Sequence, residues 1–325
     1  MKHKNQIFRQ QSIPSKKFLM KYKNNALFLK KSLLRDMLIY IIIITTALLI
    51  TGFELNHLQT QLLIKDIENN GINYDAFREI QLNEDNYWKA EKKVTHLIKK
   101  NPKLQEVSYI DGIGYLTFSM MARSFDLMDK DLVDEKTFLR GIGKIIPTTG
   151  FQELYEYYKA IFSDLEYFPV PTIDSKEADI TYGDSWSDLR TYGGNRRHEG
   201  TDLMASNKKR GFFPVISITD GTIEKMGWLE QGGYRIGIRS KEGGYFYYAH
   251  LDSYAPELAQ GDSVIAGQLL GFMGDSGYGS EGTIGKFDVH LHLGIYVETT
   301  TGEMSVNPYW ILKILEDNRT HYVSE

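Results

Sequence analysis

Hydrophobic and polar positions change rhythm twice along this chain. Between residues 37 and 53 the text Met-Leu-Ile-Tyr-Ile-Ile-Ile-Ile-Thr-Thr-Ala-Leu-Leu-Ile-Thr-Gly-Phe has no period and no charge. Four consecutive isoleucines leave no polar face, so the stretch predicts a spanning helix at the short end of the roughly 17–25 residues such helices use. From residue 54 to about 168, apolar positions recur at helical spacing. Tyr87, Ala90, Val94, Leu97 and Ile98 share one face, which Asn101-Pro102 closes, and Phe118, Met121, Phe125 and Met128 make a second. A third runs through Phe151, Leu154, Tyr158, Phe162 and Leu165, opened by capping-box spacing at Thr149 and Gln152 and ended by Pro169 and Pro171. These aromatic and Met stripes are expected to pack a core rather than line a ligand groove. Beyond the prolines the rhythm changes again. Short apolar runs at 214–219, 222–228, 234–239 and 245–250 are separated by Asp220-Gly221, Gly232-Gly233 and Glu242-Gly243-Gly244. Strands so short and so regularly punctuated predict an all-β, antiparallel sandwich or barrel-like domain.

Charge gives this order a direction. Lys2, Lys4, Arg9, Lys16, Lys17, Lys21, Lys23, Lys30, Lys31 and Arg35 precede the apolar run with no acidic residue among them. A cleaved signal peptide would have a shorter basic start and a small-residue cleavage site, and Thr51-Gly52-Phe53-Glu54 is a poor one. The positive-inside rule then keeps the basic arm in the cytoplasm and puts everything after residue 54 outside the cell membrane. The expected organisation is a basic cytoplasmic arm (1–36), a transmembrane helix (37–53), a helical extracellular region (54–168), a linker (169–181), a β domain (182–315) and a C-terminal tail (316–325). Residues 172–325 are expected to fold without the rest, because the prolines separate them from the helices. The helical region carries no evident chemistry, and any protein partner for it is unknown. His57 and His96 lie there without a partner at metal-ligand spacing.

The net charge of −4 over 325 residues argues against a general nucleic-acid binder. With no cysteine in the chain, any metal must be held by His, Asp or Glu. The candidate chemistry centres on His290 and His292, set among Val289, Leu291, Leu293, Ile295 and Val297. On a strand, residues i and i+2 leave the same face, so both imidazoles point into one space. Upstream, His198 and Asp202 are four apart in Gly-rich text; on a straight strand they would be about 13 Å apart, so the chain must bend for both to reach one metal, and Gly200 is placed to permit it. His321 and Glu325 repeat that spacing with no further support. His250 ends a strand-like run. Gly274-Asp275-Ser276-Gly277-Tyr278-Gly279 lacks the lysine and helix of a phosphate loop, and is expected to be a mobile wall of the cleft.

In order, these pieces resemble the LytM/lysostaphin-type zinc endopeptidases of family M23 over roughly residues 182–312. The matching text is His198-x-Gly200-x-Asp202, Pro214-Val215, Asp220-Gly221, Tyr248-Ala249-His250-Leu251, Gly261-Asp262-x-Val264, Gly267-Gln268-x-x-Gly271 and His290-x-His292. The resemblance implies one zinc ion per chain on His198, Asp202 and His292, with His250 and His290 as catalytic histidines. It further implies hydrolysis of bacterial peptidoglycan peptides, in the stem or the cross-bridge, through a zinc-bound water. Arg210-Gly211-Phe212-Phe213 before Pro214, and Leu293-Gly294 after His292, depart from the common pattern and bear on substrate preference. The alternative is a non-catalytic LytM-like module that binds cell wall or a partner hydrolase.

Overall fold

The computed structural model describes residues 16–174, 178–192 and 194–323, apart from some side chains of the first helix. The basic arm before residue 16, residues 175–177 of the expected linker, Gly193, the His57 side chain and the last two residues of the tail lie outside what is described. The described chain divides into two units, 1–58 and 59–325.

In the first unit the apolar run lies inside one continuous helix, α1 (Lys16–Asn70), which continues into the second unit. Its apolar window is Leu33–Gly52, slightly earlier than the expected 37–53. At 1.5 Å per residue those 20 residues span about 30 Å, the thickness of a bilayer's hydrocarbon core. Ile41, Ile44, Leu48 and Ile50 are all exposed.

The second unit opens with helices: α2 (Tyr74–Arg78), α3 (Glu84–Lys100), α4 (Gly112–Ala122), α5 (Glu135–Ile145) and α6 (Thr149–Phe162). The stripe on α3 is buried at Ala90, Val94 and Leu97, and Asn101 caps its end. On α4, Phe118 and Met121 are buried, but the helix stops at Ala122. Phe125 takes a left-handed backbone (φ 64), and Asp126–Leu127 pairs in parallel with Gln81–Leu82, so the second stripe does not continue to Met128 as a helix. The α6 cap is Thr148, one residue before the expected Thr149. Its hydroxyl accepts from the Phe151 amide, while Gln152 turns back to the Ile146 carbonyl. His96 lies at the surface, 2.8 Å from Glu135.

The β part is one branched antiparallel sheet of ten strands: β1 (Ile180–Thr181), β2 (Thr201–Ala205), β3 (Pro214–Ile216), β4 (Gly221–Leu229), β5 (Gly233–Ser240), β6 (Tyr245–Tyr254), β7 (Ser263–Val264), β8 (Leu269–Met273), β9 (His290–Thr299) and β10 (Gly302–Val306). The main path runs β7-β4-β5-β6-β9-β2-β1. β8 joins the far end of β6 to β3, and β10 adds to β9. The expected sandwich or barrel is thus a single sheet that branches at β6. Alternation sorts its faces: Leu291, Leu293, Ile295 and Val297 of β9 are fully buried in the core, leaving His290, His292, Gly294 and Tyr296 for the other face.

The core is continuous between helices and sheet. α6 packs on β9, and a Cβ at Gly244 would meet the Ala160 carbonyl at 2.2 Å. Lys159 pairs with Glu242 at 2.6 Å, and the Ile216 amide donates to the Pro169 carbonyl. Pro169 and Pro171 do end the helical run, but the segment after them does not hang free. Thr172–Ile173 pairs in parallel with His321–Tyr322, and Arg319 donates to the Val170 and Pro171 carbonyls. Residues 172–325 therefore share one core with the helices. A short helix, α7 (Pro308–Leu315), closes the fold.

Candidate metal centre and cleft

Three strands bring the predicted residues together by register. His292 of β9 lies opposite Asp202 of β2 on one side and Ala249 of β6 on the other. His198 sits just before β2, after a small hairpin in which Leu189–Arg190 pairs with Arg196–Arg197. The chain turns there so that His198 Nε2 is 3.1 Å from Asp202 Oδ1 and 3.0 Å from His292 Nδ1. His292 Nδ1 in turn is 3.0 Å from Asp202 Oδ1. Gly200 serves this arrangement by leaving space: a Cβ there would lie 2.4 Å from the His292 ring and 2.6 Å from the Leu293 carbonyl. The chain does bend at Gly200, as the sequence pointed to, and the close His292 ring adds a packing role.

His198, Asp202 and His292 form a group able to hold a metal ion. The chemistry of the donors fits. The Ser185 carbonyl, 2.9 Å from His198 Nδ1, can only accept, so that nitrogen carries the proton and Nε2 keeps its lone pair for the cluster. Arg190 Nη2 donates to Asp202 Oδ2 at 2.9 Å, orienting the carboxylate and leaving Oδ1 toward the histidines. The same Nη2 is 3.0 Å from His198 Nδ1, but two donors cannot share a proton, so only its bond to Asp202 is counted. Burial pushes the Asp202 carboxyl up, yet the imidazoles of His198 and His292 beside it outweigh that and hold the group far below the usual carboxylate range.

His250 and His290 close the site from the side. Alternation along β6 would send His250 to the core beside Tyr248. A left-handed backbone at His250 (φ 62) and register shifts on either side turn it into the cleft instead, with ring centroids 4.8 Å from His290 and 5.9 Å from His292. Its Nδ1 donates to the Ser276 carbonyl at 2.8 Å, and Ser276 is itself buried, bonded to Leu251 and Tyr234. Burial pushes the His250 imidazole well below its ordinary value, and the neighbouring His290 and His292 add to this. His290 Nδ1 donates to the Asp288 carbonyl at 2.7 Å, and its Nε2 is 3.7 Å from Asp202 Oδ1. Phe287 packs on both rings. At the start of the glycine-rich wall, Gly274 bridges to His290 and Asp275 pairs with Arg210 at 3.0 Å. The remaining histidine match is elsewhere: His321 lies 3.2 Å from Asp174. Sequence reasoning missed Arg190, Ser185 and Ser276. Arg190 alone left a trace, as a charged position flanking the Tyr-Gly-Gly-Asn turn of the hairpin.

The profile of peptidase family M23 matches residues 196–308. The chain is 40% identical over 212 residues to the L-Ala–D-Glu endopeptidase of Bacillus subtilis (strain 168), covering 65% of this chain and 62% of that one. It is 31% identical over 134 residues to the glycyl-glycine endopeptidase ALE-1 of Staphylococcus capitis, covering 41% of this chain and 33% of the relative. Among solved structures, a protein from Ruminococcus gnavus ATCC 29149, named as a candidate glycyl-glycine endopeptidase lytM, is 40% identical with a TM-score of 0.65. That match covers 81% of this chain and 99% of the other, so it takes in helices as well as the sheet. With the cleft and its His-Asp-His group, these likenesses make the chain a member of peptidase family M23.

Proposed function

We propose that this chain is a zinc-dependent endopeptidase that hydrolyses the peptide part of bacterial peptidoglycan. The observation that carries this reading is the convergence of His198 Nε2, Asp202 Oδ1 and His292 Nδ1 within 3.1 Å of one another, with His250 and His290 facing them. Two imidazoles and one carboxylate are the donor set of a hydrolytic zinc site that keeps a coordination position open. Bound there, zinc supplies Lewis acidity that polarises a carbonyl and acidifies water at neutral pH. His250 and His290 each spend the Nδ1 proton on a backbone carbonyl, which leaves Nε2 as the proton-accepting nitrogen. Buried and neutral, His250 can take the proton of an attacking water or, once charged, return it to the leaving amine. His290 can do the complementary task beside the developing oxyanion.

The names of the relatives, an L-Ala–D-Glu and a glycyl-glycine endopeptidase, support a peptide substrate from the cell wall. The apolar helix supports a single-pass anchor, with the basic N-terminus cytoplasmic and the C-terminal domain outside. Protease added to intact cells should digest the C-terminal domain, and a mature chain starting after residue 52 would instead mean a cleaved signal. For the activity, the full chain purified in detergent should contain about one zinc and release new amines from purified wall. Zinc without amine release would favour the non-catalytic binding module.

A further inference from the structure

The cleft extends well past the metal-binding group, with a volume of about 1100 Å³. Alternate residues of adjacent strands floor it: His292 and Tyr296 from β9, Tyr245 and Tyr247 from β6, and Arg235 from β5. The arginines that line it differ in how they are satisfied. Arg190 is paired with Asp202, Arg197 donates to the Ser187 carbonyl, and Arg196 Nη2 donates to the Tyr278 hydroxyl at 3.1 Å. Arg235 makes no side-chain hydrogen bond or ion pair among the described residues, and its Nη1 is buried without a partner. Arg196 Nε is buried and unpaired in the same way.

A buried guanidinium nitrogen with nothing to donate to is costly, and the missing partner is an anion or carbonyl oxygen. Arg235 lies two residues before Gly237, which pairs with Tyr247, so Arg235 and Tyr247 share a face of the sheet, and Arg196 lines the same cleft. Tyr247 also touches the metal site, its ring lying edge-on to His292 with centroids 6.0 Å apart. The unpaired Arg235 thus sits one side chain away from the group that would hold the metal. Its planar fork matches a carboxylate.

We infer that Arg235, with Arg196 in the same cleft, receives a free carboxylate of the bound peptide, so that the substrate is an acidic peptide rather than a glycine bridge. The inference rests on the peptidase reading above and narrows it. A glutamyl residue keeps one carboxylate whichever of its carboxyls enters the peptide linkage, and a glycyl-glycine bond offers none.

The test compares acetyl-L-Ala-D-Glu-L-Lys-amide, the same peptide with the glutamyl carboxylate turned into a carboxamide, and acetyl-pentaglycine-amide, on the full chain in detergent. Wild type should favour the acid over the amide by about 10–100-fold in kcat/KM, mostly through KM, as expected when a charge-assisted pair is lost. Arg235→Gln should collapse that ratio, and Arg235→Lys should restore part of it. An acid-to-amide ratio near one in wild type, a ratio unchanged by Arg235→Gln, or a preference for pentaglycine overturns the inference. The wild-type comparison needs no variant to fold. Should no peptide be cleaved, the peptidase reading fails, but calorimetric titration of His290→Ala with the acid and the amide still decides. Tighter binding of the acid that is lost in His290→Ala/Arg235→Gln upholds the carboxylate site, and equal binding removes it.

Discussion

His290 and His292 stand two residues apart on one strand, yet the distances divide their tasks. His292 Nδ1 is within 3.0 Å of both His198 and Asp202, whereas His290 reaches Asp202 only at 3.7 Å and commits its Nδ1 to a backbone carbonyl. His292→Ala should therefore lose both zinc and activity. His290→Ala and His250→Ala should keep zinc and lose roughly 10²–10⁴-fold in turnover, the worth of a positioned acid or base. Zinc analysis beside kinetics reads both, and zinc lost with His290→Ala but kept with His292→Ala would reverse the assignment. Gly200→Ala forces its new carbon against the His292 ring and the Leu293 backbone. Zinc affinity and thermal stability should fall together, by about 1–3 kcal/mol for the overpacking alone. Four of the five candidate residues stand at two-residue and four-residue spacings that survive as text, whereas His250 became a candidate through the family resemblance. Arg190 and Ser276 could not be picked out, since what they hold lies 12 and 26 residues away and depends on a hairpin and a left-handed turn.

Elements carry the site as much as residues do. The segment from Asp184 to Asp188 wraps His198 through the Ser185 carbonyl, the Ser187 amide and the Asp188 carbonyl, and α2 braces that wrap from outside. Arg78 donates to the Ser305 carbonyl and hydroxyl at 2.8 Å, lies 3.5 Å from Glu199 and covers the Trp186 ring at 5.5 Å. Arg78→Ala should leave the donors of the metal group untouched but loosen their frame. Weaker zinc retention against a chelator and a stability loss of about 1–3 kcal/mol are expected, and unchanged retention would remove α2 from the site's support. The caps give a sharper contrast. Thr148 supplies the α6 cap, so Thr148→Ala should cost about 0.5–2 kcal/mol in denaturant unfolding, while Thr149→Ala should be near neutral. Helical stripes and strand punctuation were legible because period and turn chemistry are local. The one-residue error at this cap and the early end of α4 arise because the choice between adjacent threonines, or between a fourth turn and a left-handed residue, is made by packing.

At the scale of the molecule, the order of apolar helix, shorter helices and sheet could be read from changes in hydrophobic rhythm, but the way the helices and the sheet share a core could not. Prolines at 169 and 171 mark a boundary in the text. In the fold Pro169 accepts from Ile216 and Pro171 from Arg319, 148 residues distant. The helices also cover surface that the sheet would otherwise expose. α6 lies on β9, whose Leu291, Leu293, Ile295 and Val297 are fully buried, and the Gly244 turn fits against Ala160 with no space for a side chain. Removing residues before 172 would uncover part of this apolar face, and each large side chain returned to water costs about 1.5–3 kcal/mol. Since whole domains are stable by only about 5–15 kcal/mol, losing the cover from a few such residues suffices to unfold the piece or drive it to aggregate. A fragment starting at residue 59 should be soluble, retain zinc and melt in one cooperative transition. One starting at 172 should be insoluble or melt far lower with its zinc lost. Equal melting temperatures and equal zinc content for the two fragments would show that the helices merely adjoin the sheet and that the catalytic unit stands without them.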